Sequence, residues 1–108
     1  MRKPLRWFGD AITVPPFSDE AAREAGALLE VVSLGGVMGM PHCRALPSIG
    51  RRCFEIRVND RNQAWRIVCH VADEAVVILD VFSKKSRGTP RHVIHRCKQR
   101  LKHYERNH

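Results

Sequence analysis

The sequence predicts a single α+β domain: a small antiparallel sheet of three to five strands, an N-terminal helix packed on it and a basic C-terminal helix. Three observations support this fold class. Apolar residues recur at helical spacing between Asp19 and Leu34. Three strand-like segments then follow one another with short polar joins. Finally, Thr89-Pro90 is a helix start signal, and a basic amphipathic segment follows it.

The N-terminal segment contains two short strand candidates. Leu5–Phe8 has strand composition, and Ala11–Val14 is a second candidate. Gly9-Asp10 between them is a turn signal, and Pro15-Pro16 ends any strand before the first helix.

The first helix is predicted over Asp19–Leu34. Ser18 is a good N-cap, and the acidic residues that follow it favour the positive end of the helix dipole. Gly35-Gly36 supplies a left-handed stop. The segment Val37–Gly50 is rich in glycine and proline and is predicted to be a surface loop.

Three strands are predicted next, at Cys53–Asn59, Ala64–Val71 and Ala75–Phe82. The first two alternate apolar and polar residues, and the third is almost entirely apolar, as expected of a central strand. Because the joins are short, hairpins are the economical connection, and the three strands are predicted to form an antiparallel meander.

The last helix is predicted to have Thr89 as its N-cap and Pro90 as its first residue. An apolar stripe runs along it, and its basic residues fall elsewhere on its surface. The stripe is Ile94, Cys97, Leu101 and Tyr104, and the basic residues include Arg91, Lys98 and Lys102.

Size and composition favour one domain spanning residues 1–108 of a globular protein, with 44% hydrophobic residues. No apolar run approaches the roughly 20 residues of a membrane helix, and the opening MRKPLRWFGD has no apolar signal-peptide core. We therefore expect a cytoplasmic protein that does not act at a membrane.

The sequence gives no support for a metal or a cofactor. The four cysteines stand far apart, which favours reduced, buried thiols, and the nearest approach to a zinc set is His92, His95 and Cys97. Glycine-rich nucleotide motifs and the zinc-protease motif are both missing from the sequence.

Positive charge is concentrated in the C-terminal part of the chain. The net charge is +8, and residues 84–106 contain nine basic residues against one acidic residue, Glu105. Such a distribution favours a polyanionic partner, of which nucleic acid is the commonest, while an acidic protein partner would also suit it.

The basic residues of the strands predict a phosphate-binding surface. Since side chains alternate along a strand, Arg57 and Arg66 are expected on one open face of the sheet, near Lys84 and Lys85 at the end of the next strand. In metal-free RNA cleavage a 2′-hydroxyl attacks the neighbouring phosphate. Arginines suit the phosphoryl oxygens, and a lysine crowded by cations can transfer protons.

Other interpretations of these residues stay open. A basic sheet face binds RNA without cutting it just as well, and Arg57 could simply pair with Glu55 or Asp80 across strands. His92 and His95 could act as general acid or base, although isolated histidines at such positions are more often surface residues.

Several segments of the chain together form a recognisable pattern through their order and spacing. These are Trp7-Phe8-Gly9-Asp10, Phe54-Glu55-Ile56-Arg57, Trp65-Arg66-Ile67-Val68, Val77-Ile78-Leu79, Phe82-Ser83-Lys84-Lys85, Thr89-Pro90 and Lys98-Gln99-Arg100-Leu101 with Tyr104. In this pattern, which covers nearly its whole length, the chain resembles the phage-derived toxin family of the RelE/HigB superfamily of type II toxin–antitoxin systems.

The resemblance implies a toxin that cleaves mRNA on the ribosome and is neutralised by a helix-turn-helix antitoxin. Residues matching the family pattern include Arg57, Arg66, Lys84 and Lys85, which would form the catalytic site. Ser86-Arg87 departs from the pattern by adding a cation. Arg87 is therefore grouped with the other cations expected to bind RNA, which are Arg91, Lys98 and Lys102. Two alternatives remain, a ParE-like toxin that binds DNA gyrase and a non-catalytic RNA-binding module.

Overall fold

The computed structural model describes residues 2–8, 17–36, 43–61, 63–84 and 88–107. Within these ranges the chain forms an α+β domain, as predicted, with two helices on a five-stranded sheet of order β1-β5-β4-β3-β2. Neither described helix is long and apolar enough to cross a membrane. The elements are β1 (Leu5–Trp7), α1 (Asp19–Ser33), β2 (Cys43–Ala45), β3 (Cys53–Asp60), β4 (Gln63–Val71), β5 (Val76–Lys84) and α2 (Arg91–Asn107).

The predicted antiparallel meander is confirmed as β3, β4 and β5. The first strand differs from the expectation of an antiparallel sheet, because β1 pairs with β5 in parallel, with Leu5 opposite Val76. Short turns force only consecutive strands to run antiparallel. A long stretch of chain separates β1 from β5, so the direction of this pair is not fixed by a turn.

One strand lies inside the segment predicted to be a loop. β2 pairs antiparallel with the outer edge of β3, with Cys43 opposite Ile56. Its three residues are too few to show alternation, and Pro41 and Pro47 flank it in sequence. The other predicted strand, Ala11–Val14, lies outside the described residues.

The start of α1 is fixed as the sequence predicts. The Ser18 hydroxyl oxygen accepts a hydrogen bond from the Ala21 amide at 3.1 Å. The Ser18 amide donates to the carboxylate of Asp60 at 3.0 Å, which holds the helix start against the end of β3. The helix ends near Gly35, which has the left-handed φ of 84°.

The two helices pack on opposite faces of the sheet. Ala21, Ala25, Leu29 and Val32 of α1 form one core with residues of β3, β4 and β5. On the other face, α2 forms a second core through Val93, Cys97, Leu101 and Tyr104. The face of Arg57 and Arg66, expected to be open, is therefore covered by α2 along part of its length.

The start of α2 differs from the prediction. The helix begins at Arg91, and the Pro90 carbonyl accepts hydrogen bonds from the amides of Val93 and Ile94 at 3.0 and 3.1 Å. Pro90 thus occupies the cap position that was predicted for Thr89. The Thr89 hydroxyl is used elsewhere, in a contact with β3 described below.

A β-bulge interrupts the pairing of β4 with β5. Val68 lies opposite Asp80, and the next residue, Cys69, lies opposite Ile78, so Leu79 is the extra residue on β5. Leu79 packs in the core beneath α2. Asp80 contacts arginines of the same helix. Two consecutive residues of β5 therefore serve the α2 side of the sheet.

Candidate functional site

Arg57 and Arg66 lie directly opposite each other on β3 and β4. Along β3, Ile56 and Val58 enter the core beneath α1. Because side chains alternate, Glu55 and Arg57 take the opposite face, on which α2 packs. The prediction that the two arginines share one face of the sheet is confirmed.

Glu55 is the residue on which this part of the face is organised. Its side chain is only 5% exposed, and it is contacted by residues of β2, of β4 and of the segment just before α2. Thr89 donates its hydroxyl to Oε2 at 2.9 Å. The other carboxylate oxygen, Oε1, lies 3.1 Å from Arg66 Nε and 3.3 Å from Arg44 Nη2. Arg44, Glu55, Arg66 and Thr89 are named here the Glu55 cluster.

The cluster is linked internally as well as through the carboxylate. Arg44 Nη2 also donates to the Thr89 hydroxyl oxygen at 3.3 Å. The side chain thus joins the edge strand β2 to the residue just before α2. Because Thr89 donates to Glu55 and accepts from Arg44, its hydroxyl is satisfied in both directions.

Arg66 is largely buried within the cluster. Its guanidinium side chain is 12% exposed. Burial lowers the pKa of Arg66, the carboxylate of Glu55 opposes this shift, and the charges of Arg57 and Arg44 add to the lowering. An arginine nevertheless stays protonated under all ordinary conditions. Its Nη1 atom is buried and has no hydrogen-bond partner among the described residues. Arg66 therefore supplies a fixed positive charge behind the surface of the sheet.

Arg57 is exposed and lies beside Arg66, on the neighbouring strand. Its Nε donates to the side-chain oxygen of Asn59 at 3.0 Å, two residues along the same strand. The carboxylates proposed as its cross-strand partners are both engaged by other arginines, Glu55 by Arg66 and Asp80 by Arg96. Arg57 is therefore an exposed cation of this site that is not paired with a carboxylate among the described residues.

The two predicted lysines are placed only in part. The backbone of Lys84 lies opposite Ala64, two positions along β4 from Arg66. Lys85 and Arg87 lie outside the described residues, so their contribution to the site stays a prediction.

A ridge of exposed basic residues runs along α2 away from the Glu55 cluster. Its members are spaced four, three and four residues apart, so they share one side of the helix. They are Arg91, His95, Lys98 and Lys102, named here the basic ridge. Three of them are the residues of this helix predicted to bind RNA.

Not every cation of α2 belongs to this ridge. Arg96 contacts the buried carboxylate of Asp80, with Nε 3.0 Å from Oδ2. Arg100 lies 3.4 Å from the other oxygen of Asp80 and donates to the Leu79 carbonyl at 2.6 Å. These two arginines attach the helix to β5, whereas the side chains of the basic ridge are exposed.

The cysteines and acidic groups offer little chemistry here. Burial raises the pKa of Cys69 and of Cys97 to about 12, so neither is a thiolate near neutral pH. Cys53, Cys69 and Cys97 are buried, as predicted. Among the described residues there is no group of three or more His, Cys, Asp or Glu side chains placed to hold a metal ion.

Sequence reasoning found the arginine pair but missed the other members of the Glu55 cluster as site components. Arg44 lies on a strand that has no readable pattern. Glu55 and Thr89 both match the family pattern, but the only roles predicted for them were a partner of Arg57 and a helix cap. The polar face of β3 was the one available signal, since Glu55 and Arg57 alternate with buried residues.

The Glu55 cluster, Arg57 and the basic ridge together form a cationic surface at the point where β3, β4 and the start of α2 meet. Arginine guanidinium groups bind phosphate oxygens in a bidentate manner. Unpaired amides at a helix N-terminus add further positive potential. The arrangement is therefore suited to bind the backbone of a polyanion.

Comparison with known proteins identifies the family of this chain. A family model described as phage derived protein Gp49-like (DUF891) matches residues 15–102, a range that contains the whole Glu55 cluster and the basic ridge. Searches of curated proteins and of solved structures returned no match. The match covers most of the chain, which therefore belongs to the phage-derived Gp49-like family.

Proposed function

We propose that this protein is a toxin of the RelE/HigB superfamily that cleaves mRNA on the ribosome. The observation that carries the proposal is the Glu55 cluster with the exposed Arg57 beside it. This arrangement holds three arginines against one face of the sheet, next to a basic helix. Membership of a phage-derived family and the α+β fold agree with the resemblance seen in the sequence.

The reaction is the attack of a ribose 2′-hydroxyl on the adjacent phosphate, with expulsion of the 5′-oxygen of the next nucleotide. Negative charge accumulates on the phosphoryl oxygens in the transition state, and fixed cations stabilise it most effectively where water is excluded. Arg57 contacts the phosphate, and Arg66 strengthens the positive potential from behind. Glu55 positions Arg66 and Arg44 and does not itself touch the substrate.

Proton transfer is assigned to Lys84, the last residue of β5, or to Lys85, the next residue in sequence. The attacking hydroxyl loses a proton and the leaving oxygen gains one. Glu55 is a poor candidate for this exchange because its carboxylate is buried, accepts hydrogen bonds from Arg44 and Thr89, and forms an ion pair with Arg66. Lys84 pairs with Ala64 at the end of β5, and Lys85 is the next residue in sequence. A lysine among other cations releases a proton more readily than a free one.

The residues of the site suit a mechanism without a metal ion. Magnesium is bound mainly through carboxylate oxygens. The carboxylate of the cluster, Glu55, is already neutralised by arginines. Cationic side chains supply the charge stabilisation that a metal would otherwise provide.

Two macromolecular partners belong to this proposal. The basic ridge binds ribosomal RNA and the mRNA, since contacts with phosphate dominate the affinity of such surfaces. A small helix-turn-helix antitoxin neutralises the toxin.

The test is expression of the chain alone in bacteria, followed by mapping of mRNA 5′ ends. We expect growth arrest and new ends within translated regions. Arg57→Ala removes an exposed cation without disturbing a core, and it should lower the cleavage rate about 100-fold, as expected for loss of one transition-state donor. Lys85→Ala should also lose cleavage.

Arg23→Ala is the matched control, because Arg23 is an exposed arginine on α1, on the other face of the sheet. This variant should cleave normally. Growth arrest with intact transcripts and damaged DNA would instead identify a gyrase inhibitor. Retention of RNA without cleavage or toxicity would identify a binding module, and either result would overturn the proposal.

A further inference from the structure

A second site lies at the opposite end of α2 from the Glu55 cluster. It is a cavity of about 480 Å³ between β1, the turn joining β4 to β5, and the last turns of α2. This volume falls within the range of small-ligand sites. The residues that matter for its chemistry are Arg6, Trp7, Phe8, Glu74, His103 and Tyr104.

Aromatic rings form much of the cavity wall. Phe8 and His103 meet edge to face, with ring centroids 5.5 Å apart. The guanidinium of Arg100 lies 5.7 Å from the Phe8 centroid, which adds a cation to the aromatic group. Trp7 is 44% exposed, unusually high for so large an apolar side chain. A flat aromatic ligand would find stacking surfaces here.

A carboxylate is held in place at the same cavity. Tyr104 donates its hydroxyl to Glu74 Oε1. Burial raises the pKa of Tyr104 to about 12, and the bond to Glu74 adds to the shift, so the hydroxyl remains a donor at neutral pH. A carboxylate has about four acceptor positions on its two oxygens. Glu74 thus places carboxylate acceptors at the cavity wall, and the bond from Tyr104 orients them.

We propose that this cavity binds an unpaired guanine base. Guanine alone among the RNA bases presents two adjacent N–H donors, N1–H and the N2 amino group, which match a carboxylate. Its ring stacks on the aromatic wall, as bases do on aromatic side chains in single-strand binding sites. The exposed guanidinium of Arg6 lies at the edge of the cavity, where it would bind the phosphate of the same nucleotide.

A peptide side chain fits these groups less well. An aromatic side chain of a partner protein would stack on the aromatic residues that line the cavity, but it would bring no phosphate to Arg6. The indole of tryptophan has one N–H donor, and a carboxylate offers two oxygens. The net charge of +8 also favours a ligand that carries phosphate.

The position of the cavity suggests where such a base would come from. His103 lies twelve residues beyond Arg91, which corresponds to about 18 Å along the helix axis. An RNA strand following the basic ridge from the Glu55 cluster would reach the cavity at its far end. This placement rests on the proposed ribonuclease function, whereas binding of a guanine nucleotide to the cavity does not.

The test is titration of the full chain with GMP, AMP, CMP and UMP by calorimetry and by tryptophan fluorescence. Since Trp65 is buried and Trp7 is half exposed, GMP should quench mainly Trp7. We expect GMP to bind at least tenfold more tightly than the other three, as for a bidentate contact with a base. Glu74→Gln should remove this preference. Trp7→Leu should weaken GMP binding about fivefold or more.

Asp73→Asn is the matched control. Asp73 is the neighbouring exposed carboxylate and pairs with Arg52, outside the cavity. This variant should bind GMP normally. Equal affinity for all four nucleotides, no binding, or unchanged preference in a folded Glu74→Gln variant would overturn the inference. A variant lacking Arg57 should still bind GMP, so loss of RNA cleavage and loss of the guanine site are separate results.

Discussion

Glu55 combines burial with charge, and this combination determines how it can be tested. Removing a carboxylate from water costs several kcal/mol, and the contacts from Arg66, Arg44 and Thr89 compensate for that cost. Removing only the negative charge leaves the arginines without their counter-charge. The residue is therefore needed to keep the cationic site assembled, even though it does not touch the phosphate.

We expect Glu55→Gln to lower the free energy of unfolding by about 3 kcal/mol. This is the lower end of the range for breaking a buried ion pair, because Arg44 is partly exposed. Urea denaturation measures the change. Glu30→Gln is the control, since Glu30 forms an exposed pair with Arg2 and should cost less than about 1 kcal/mol. Equal stability of the two variants would contradict the role assigned to Glu55.

Single residues also show what a sequence can and cannot reveal. The common face of Arg57 and Arg66 follows from strand periodicity alone, and the structure confirms it. The role of Thr89 does not follow, because threonine before proline has the same appearance whether its hydroxyl caps a helix or reaches a distant strand. Only the packing of α2 against β3 distinguishes the two.

At the scale of elements, α2 is held not only by its own core but also by the turn between β2 and β3. A Cβ atom added to Gly50 would lie 2.7 Å from Leu101 Cδ2 and 3.7 Å from Cys53 Sγ. The absence of a side chain at residue 50 therefore lets Leu101 enter the core. The turn and the helix are coupled through this contact.

Gly50→Ala should destabilise the protein by about 1–3 kcal/mol through overpacking. In a Leu101→Ala background the same change should cost almost nothing, because the obstructing methyl group is gone. Thermal or urea unfolding of the unchanged protein, the two single variants and the double variant gives the coupling energy. Gly26→Ala is the control. Gly26 is an exposed residue of α1, and no atom lies within 4 Å of the added Cβ, so this substitution should slightly stabilise the helix. Strictly additive effects of residues 50 and 101 would refute the coupling.

Elements with strong local patterns were predicted, and elements fixed by distant contacts were not. α1 has a cap, an apolar stripe and a glycine stop within its own sequence, and its observed bounds differ from the prediction by one residue, since the helix ends at Ser33. β2 has three residues and exists because β3 offers an unpaired edge. The parallel direction of β1 depends on how the whole intervening chain is arranged.

At the scale of the molecule, charge is separated between the two faces of the sheet. α1 carries acidic residues in its first turn, while α2 carries the basic ridge and has no acidic residue in its first turn. The buried carboxylate of Asp80 on β5 neutralises part of the positive charge of α2 by pairing with Arg96 and Arg100. The exposed positive charge that remains is concentrated on one side.

This asymmetry predicts a steep salt dependence of RNA binding. Each phosphate contact releases counterions, so loss of Lys98 and Lys102 should reduce the slope of log affinity against log salt by about one per residue. Binding of a short single-stranded RNA across a series of KCl concentrations measures the slope. Arg23→Ala should leave it unchanged. If the lysine variants kept the original slope, the ridge would not be the RNA contact.

The fold class could be predicted because hydrophobic periodicity, turns and caps all agreed on it. The position of α2 could not be predicted. The last strand of the meander is apolar on both faces, which shows that both faces are covered without showing which helix covers which. Assigning α2 to the face of the arginines required the three-dimensional structure.

The bulge at Leu79 means that β5 changes phase partway along its length. Before it, odd-numbered residues such as Val77 face α2, and after it an even-numbered residue, Phe82, packs in the core beneath the same helix. Deleting Leu79 would remove the extra residue, so strict alternation would return, with Asp80 still opposite Val68 and still on the α2 side. What the deletion would remove is a fully buried side chain in the core beneath α2. The bulge thus allows β5 to place two neighbouring side chains, one apolar and one charged, under the same helix without changing the register on either side.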